Sequence, residues 1–306
     1  MHERVSVVIV GAGPAGIAAG MFLKRAGVEP LLLEEREPGG LLREANLVEN
    51  YPGFPGGITG RELASLMTHQ MEKLGVRLEK RSVTKVSPKN GSFVTETETD
   101  IYESDAVIIA TGTAPKRIGI EGAKELEGRR LFYGLASIET DDIRGKRLLV
   151  LGGGDAAFDY AINMSARGNS VTIVSRSTAS CLPLLLERAE ARGIEISEGC
   201  VSERMMESTD GVRVECACGD EKKVFVADMV IVAHGREPRV DMLPPELRER
   251  VDDPGERPPM TGIEGVFVAG DVVRGVHRQA AIAAGDGVLA AMHVEKLLKK
   301  RGGVDS

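Results

Sequence analysis

The sequence is short of cysteine, and what it has comes late. The 306 residues contain Cys181, Cys200, Cys216 and Cys218, and none lies between Met1 and Ser180. Four are too few to scaffold a chain of this length with disulfides. No histidine stands near Cys216-Ala217-Cys218, which argues against a metal site there. That close pair reads as two small residues beside a hairpin containing Gly219-Asp220. No block of five like charges forms a tail, and the net charge of -7 argues against a nucleic-acid partner. No apolar run suits a membrane span. The longest, Val5 to Leu23, is broken by Gly11, Gly13, Pro14, Gly16 and Gly20, and it lacks a basic leader and a cleavage site. The chain therefore reads as cytoplasmic, with no membrane partner.

Glycine is plentiful. The 37 glycines gather in turn-like places, and two clusters share one plan. Gly11-Ala12-Gly13-Pro14-Ala15-Gly16 follows the apolar run Val5 to Val10, and Gly152-Gly153-Gly154-Asp155-Ala156-Ala157 follows Leu148 to Leu151. Each opens a segment with helical spacing and is followed by a second apolar run. In such a strand–turn–helix the first glycine makes the tight turn, the second lets backbone approach a pyrophosphate, and the third position packs helix on strand. The helix N-terminus then offers free N–H groups to the phosphates.

The two copies differ downstream. Glu34 ends the second strand of the first copy, where a carboxylate accepts from a ribose hydroxyl, and Glu35 follows it. The equivalent positions of the second copy are Ser175 and Arg176, followed by Ser177. A carboxylate repels a 2′-phosphate, whereas Ser-Arg-Ser is able to bind one. The first site is expected to take an adenosine diphosphate moiety without a 2′-phosphate, and the second NADPH. Strands alternating with helices imply parallel sheets. The expected fold is α/β, with two Rossmann-like three-layer dinucleotide-binding domains. The second, residues 115–245, is inserted in the first, residues 1–114 and 246–306. Linkers are expected at 112–117 and 234–239.

Further motifs carry a resemblance. They are Gly39-Gly40-Leu41, Val48-Glu49-Asn50-Tyr51-Pro52-Gly53, Ala110-Thr111-Gly112, Gly235-Arg236-Glu237-Pro238, and Ala269-Gly270-Asp271 followed by Arg278-Gln279-Ala280. With the two glycine turns, they make the chain resemble the thioredoxin reductase-like flavoproteins among the pyridine nucleotide-disulfide oxidoreductases. The resemblance implies FAD in the discontinuous domain, NADPH or NADH in the inserted one, and a homodimer. It places Gly39, Gly40, Leu41 and Asn50 along the flavin and closes Thr111 and Gly112 over the FAD. It puts Asp271, after the cofactor-binding Gly270, on the ribityl chain, and Arg278, Gln279 and Ala280 beside the isoalloxazine at the start of the last helix. His277 either donates to the flavin or lies at the surface.

One departure shapes the functional expectation. Disulfide reductases of this type carry Cys-x-x-Cys shortly before the second glycine turn, near residues 134–138, where this chain reads Gly-Leu-Ala-Ser-Ile. Serine does not replace a thiolate in disulfide exchange. Phe132-Tyr133 and Asp155-Ala156-Ala157-Phe158-Asp159-Tyr160-Ala161 look like the ferredoxin–NADP reductases built on the same fold. The family's further phosphate-binding arginines are missing, with Ser177 and Cys181 near their positions. The expectation is an FAD enzyme that takes hydride from NAD(P)H and passes electrons to an acceptor other than an internal disulfide. Ferredoxin or flavodoxin is one alternative, with Arg129, Arg130, Arg144, Lys146 and Arg147 as a basic docking patch. The other is a non-enzymatic FAD sensor, or a subunit whose partner supplies the cysteines. No protein acid or base is required for hydride transfer, so no catalytic residue is expected.

Overall fold

The computed structural model describes residues 2–135, 138, 143–252 and 260–302. The chain divides into two compact units. One comprises Met1–Arg43, Leu47–Ala114 and Glu237–Ser306, and the other Glu44–Asn46 and Pro115–Arg236.

The first unit begins with β1 (His2–Val10), α1 (Pro14–Arg25) and β2 (Pro30–Glu34). Pro14 stands at the first position of α1, where its missing N–H costs nothing, and Lys24 and Arg25 face the negative end of the dipole. After the loop comes α2 (Gly60–Lys73), which opens on the Thr-x-x-Glu sequence of a capping box. Thr59 caps it and its hydroxyl accepts from the Glu62 amide at 3.2 Å. The chain continues through β3 (Arg77–Lys80), β4 (Val83–Lys89), β5 (Ser92–Thr97) and β6 (Ile101–Ile109). It leaves by β7 (Thr113–Pro115) and returns by β16 (Arg236–Pro238), then closes with α6 (Pro245–Asp252), β17 (Val266–Val268) and α7 (Ala280–Arg301).

The sheet order is β3-β2-β1-β6-β5-β4, and β17 also pairs with β6. Strands β1, β2, β3, β6 and β17 run parallel, while the β4–β5 hairpin is antiparallel. Alternate residues point to opposite faces. Val7, Ile9, Leu32, Ala106 and Ile108 pack on one side with Ile17 and Leu23 of α1 and Ala290 and Val294 of α7. Val8, Val10, Leu31, Leu33, Val107 and Ile109 pack on the other with Phe93 and with Leu243, Leu247 and Val251. A strand buried on both faces has to read as an unbroken apolar run, as Val7 to Val10 does. Leu243, Leu247 and Val251 also explain why the chain rejoins this unit at Glu237, ahead of the boundary expected at 245/246. Their apolar side chains belong to its core, and polar intervening residues hid that in the sequence.

The second unit contains α3 (Ala123–Leu126), β8 (Leu131–Phe132), β9 (Arg147–Leu151), α4 (Asp155–Ala166), β10 (Ser170–Val174), α5 (Pro183–Ala191), β11 (Glu195–Ser197), β12 (Cys200–Ser208), β13 (Gly211–Cys218), β14 (Glu221–Ala227) and β15 (Met229–Val232). Its parallel sheet has the order β11-β10-β9-β15-β8, and β12-β13-β14 form a separate antiparallel sheet. Leu148, Val150, Val171, Ile173 and Ile231 face Phe158, Ala161 and Ile162 of α4. Leu149, Leu151, Val174, Val230 and Val232 face Met205, Val212, Val214 and Cys216 of the antiparallel sheet. The layers are therefore helix, parallel sheet and antiparallel sheet.

Candidate cofactor sites

In the first unit the C-terminal ends of β1, β2, β6 and β17 bring the expected residues to one edge, where α/β sheets bind ligands. Gly11 has φ +102°, and a Cβ there would lie 2.4 Å from the Ala110 carbonyl oxygen. A Cβ on Gly16 would lie 1.8 Å from the Gly11 carbonyl oxygen. Both positions require glycine. Gly13 caps α1 without a side-chain hydrogen bond, and the space beside it is open. Gly39 donates its N–H to Ala12 at 2.7 Å, and a Cβ on Gly40 would come within 3.3 Å of the Gly13 Cα. This bare cradle at a helix N-terminus, with Ala15 buried behind it, fits a dinucleotide pyrophosphate. Leu41 is half-buried in the 3-10 helix Gly40–Glu44.

Glu34 is half-buried and holds the turn. Its carboxylate accepts from the Ala12 amide at 2.7 Å and from the Arg36 amide at 3.0 Å. Glu35 forms a two-pronged ion pair with Arg239, at 2.8 and 3.0 Å. That guanidinium holds the Glu35 carboxyl below the ordinary carboxylate range, against the opposing effect of burial. Arg239 also ties down the Thr111-Gly112 turn. Its carbonyl accepts from the Thr111 hydroxyl at 2.7 Å, and its amide donates to the Gly112 carbonyl at 3.1 Å. Sequence reasoning missed Arg239, because its partners lie far away along the chain.

Asn50 and Gln279, expected on the same cofactor, meet directly: the Asn50 amide donates to Gln279 Oε1 at 2.7 Å. Gln279 caps α7 with no side-chain hydrogen bond to the helix, and Ala280 opens it. Gly270, at φ +80°, packs against Ala15, since a Cβ there would stand 2.9 Å from the Ala15 Cβ. Asp271 follows in a 3-10 helix. Arg278 is half-buried, and His277 is exposed. Buried Asp286, also missed, accepts from the Gly270 amide at 3.2 Å and from Arg274 Nε at 2.8 Å, which raises the Arg274 pKa.

In the second unit, Gly154 caps α4 without a side-chain hydrogen bond, so a second bare helix N-terminus follows β9. Gly152 is held close to Ala233, with its hypothetical Cβ 2.6 Å from that carbonyl oxygen. Asp155 accepts from the Leu182 amide at 2.8 Å, and Ala156 is exposed. Ser175 needs a correction. It is buried, and its hydroxyl donates to the Ser177 carbonyl at 2.6 Å, so it shapes the loop while Arg176 and Ser177 reach solvent.

Three of the five residues of the basic patch are ion-paired within this unit. Arg129 and Arg130 lie 3.4 and 3.8 Å from Glu207, and Arg147 lies 2.9 Å from Asp228. Of the stretch expected to hold Cys-x-x-Cys, Ala136 and Ser137 lie outside the described residues. All four cysteines are described. Cys200 and Cys218 form a disulfide, while Cys181 and Cys216 are free. This corrects the reading of Cys218 as a small hairpin residue.

The family model for pyridine nucleotide-disulphide oxidoreductases matches residues 5–287. The chain belongs to this family. It is an NAD(P)H- and FAD-dependent oxidoreductase, and both bare glycine cradles suit those cofactors. It is 34% identical to a bifunctional thioredoxin reductase/thioredoxin of Mycobacterium leprae, across 99% of this chain and 68% of that protein. It is 30% identical to a thioredoxin reductase of Rickettsia prowazekii, across 98% of this chain and 100% of the relative. The crystal structure of Lactococcus lactis thioredoxin reductase superposes with a TM-score of 0.89 at 28% identity, covering 97% of this chain and 99% of that one. These whole-length matches overturn the expected acceptor. Relatives spanning the chain from end to end are thioredoxin reductases, so the expectation of a non-disulfide acceptor is withdrawn. The ferredoxin, flavodoxin and sensor alternatives go with it. No helix among the described residues is long and apolar enough to cross a membrane.

Proposed function

We propose that the protein is a cytoplasmic reductase of the thioredoxin reductase type, carrying reducing equivalents from NAD(P)H through FAD to a protein disulfide of the thioredoxin kind. The observation that carries this is the end-to-end match to thioredoxin reductases, one of which is named a bifunctional thioredoxin reductase/thioredoxin. FAD supplies the two-electron chemistry. The chain's own residues bind and orient.

Gly11, Gly13, Pro14, Ala15 and Gly16 receive the FAD pyrophosphate, and Glu34 fixes the turn while facing the ribose. Gly39, Gly40, Leu41, Asn50, Thr111 and Gly112 line the cofactor. Gly270, Asp271, Arg278, Gln279 and Ala280 complete the site at the start of α7. In the second unit Gly152, Gly154, Asp155 and Ala156 receive the pyridine nucleotide pyrophosphate. Arg176 and Ser177 favour the 2′-phosphate of NADPH, with Ser175 holding their loop. None of the four cysteines stands in a Cys-x-x-Cys spacing, and Cys200–Cys218 is the disulfide the chain has. Exposed Ile282, Val288, Leu289 and Met292 give α7 an apolar strip that suits a homodimer contact.

The test is steady-state NADPH oxidation by the FAD-loaded protein with a bacterial thioredoxin and insulin. The expected result is thioredoxin-dependent consumption of about one NADPH per disulfide reduced, as a two-electron exchange requires. Consumption that ignores thioredoxin overturns the proposal.

A further inference from the structure

The antiparallel sheet of the second unit holds three of the four cysteines in one apolar cluster. Cys200 opens β12 and Cys218 closes β13, as partners across the ladder with Cα atoms 4.1 Å apart and a disulfide between them. Cys216 lies two rungs away, opposite Ser202, with its sulfur 3.6 Å from that hydroxyl. Cys200 and Cys216 are buried with Leu149, Leu151, Val214 and Val230, and Cys218 packs against that cluster at its half-exposed edge. A disulfide that persists in a reducing compartment is usually catalytic or redox-sensing.

Its position gives it something to act on. The segment Ser197–Cys200 holds the Ser175–Ala179 loop by three hydrogen bonds. The Ser175 amide donates to the Ser197 carbonyl at 2.9 Å, the Cys200 amide donates to the Ser175 carbonyl at 2.9 Å, and the Ala179 amide donates to Glu198 Oε1 at 2.7 Å. Gly199, between Glu198 and Cys200, has φ +68° and open space where a Cβ would stand. It is exposed, so no packing holds the segment at this point.

We propose that Cys200–Cys218 is a thiol–disulfide exchange site whose oxidation state sets the position of the Ser175–Ser177 loop, and with it the choice between NADPH and NADH. The inference rests on the reading of that loop as the nucleotide-discriminating one. The reductant is a dithiol. One of its thiolates attacks the Sγ of Cys218, the more exposed residue of the pair, forming a mixed disulfide and releasing Cys200 as a thiolate that takes up a proton. The second thiol attacks the mixed disulfide, leaving the dithiol oxidised and Cys218 as a thiol. Two electrons and two protons pass to the protein, and oxidation reverses both. The freed sulfurs move apart to van der Waals contact, and the Cys200 amide shifts under the Ser175 carbonyl. Burial raises the Cys216 thiol pKa, so this neighbour stays protonated and does not scramble the pair.

The experiment compares the FAD-loaded protein after oxidation with diamide and after reduction with dithiothreitol. Peptide mass spectrometry should show Cys200 linked to Cys218 only in the first. Hydrogen exchange of residues 175–181 should quicken on reduction, and the NADPH-to-NADH preference in flavin bleaching should change about fivefold or more, the scale of an ordinary coupling between sites. The Cys200→Ser/Cys218→Ser double variant should behave as the reduced protein in either buffer, and Cys216→Ser should follow the wild type. Absence of the linked peptide, or identical exchange at 175–181 in both states, overturns the proposal. Exchange that changes while nucleotide preference does not refutes the link to nucleotide choice. Exchange that changes while neither nucleotide bleaches the flavin keeps the redox-controlled loop and refutes the nucleotide reading beneath it.

Discussion

The third position of the glycine turn separates the two units. In the first it is Gly16, where an added Cβ would lie 1.8 Å from the Gly11 carbonyl oxygen. In the second it is Ala157, a buried side chain that the turn accommodates. The strand that follows repeats the contrast. Glu34 takes two backbone N–H groups with one carboxylate, whereas buried Ser175 donates a single hydroxyl to its own loop. The first unit therefore closes its turn with a charge and three obligate glycines, including Gly39 pressed against Ala64. The second also needs a glycine at Gly152, but it admits a side chain at the third position and ends its strand on a hydroxyl in place of a carboxylate. A turn of the first kind suits a cofactor that stays, and one of the second suits a cosubstrate that comes and goes.

The largest test of this contrast exchanges the third positions. Gly16→Ala should cost about 3 kcal/mol or more and yield colourless protein, because backbone has to move. Ala157→Gly should cost only about 1 kcal/mol, the helix-propensity difference, and keep the flavin. Flavin content and urea unfolding of both variants check this. If Gly16→Ala remains yellow and stable, the tightness attributed to the first turn is wrong.

Removing the acceptor after the second strand comes next. Glu34→Ala strands two amide donors and should cost about 2–3 kcal/mol, while Ser175→Ala should cost about 1 kcal/mol. Denaturation midpoints with unchanged slope would show the ratio, and equal losses would erase the distinction between the units. At the exposed side of the second loop, Arg176→Glu should raise the apparent constant for NADPH about tenfold, some 1.4 kcal/mol, and spare NADH. Unchanged preference would show that Arg176 does not face the nucleotide.

The smallest expected effect is pH-dependent. Glu35 has its folded pKa depressed by Arg239, so its stabilisation is present above the unfolded carboxylate pKa and lost as pH falls through the folded value. Glu35→Gln should be less stable than the wild type at about pH 7, and the gap should close as pH falls below the ordinary carboxylate range. A gap that is constant with pH would remove the ion pair from the account of how Arg239 anchors the Thr111 turn.

Local pattern carried much of this molecule. The glycine turns, the strand ends at Glu34 and Ser175, and the start of α7 all follow from short motifs whose geometry is set within a few residues. What stayed hidden depends on pairing across the chain. Arg239 finds Glu35, Asp286 finds Gly270 and Arg274, and Cys218 finds Cys200. Cys200 and Cys218 became partners only through the register of β12 on β13, which spacing alone does not give. The acceptor was misjudged for a related reason. A missing tetrapeptide is a local signal, whereas the likeness to thioredoxin reductases runs the length of the chain.

The most direct test of the central claim is anaerobic stopped-flow of the FAD-loaded protein through both half-reactions. The account predicts that NADPH bleaches the flavin rapidly, and that oxidised thioredoxin, mixed with the bleached protein, restores the yellow absorbance within the turnover time. Flavin that bleaches with NADPH but stays bleached in the presence of oxidised thioredoxin would contradict it.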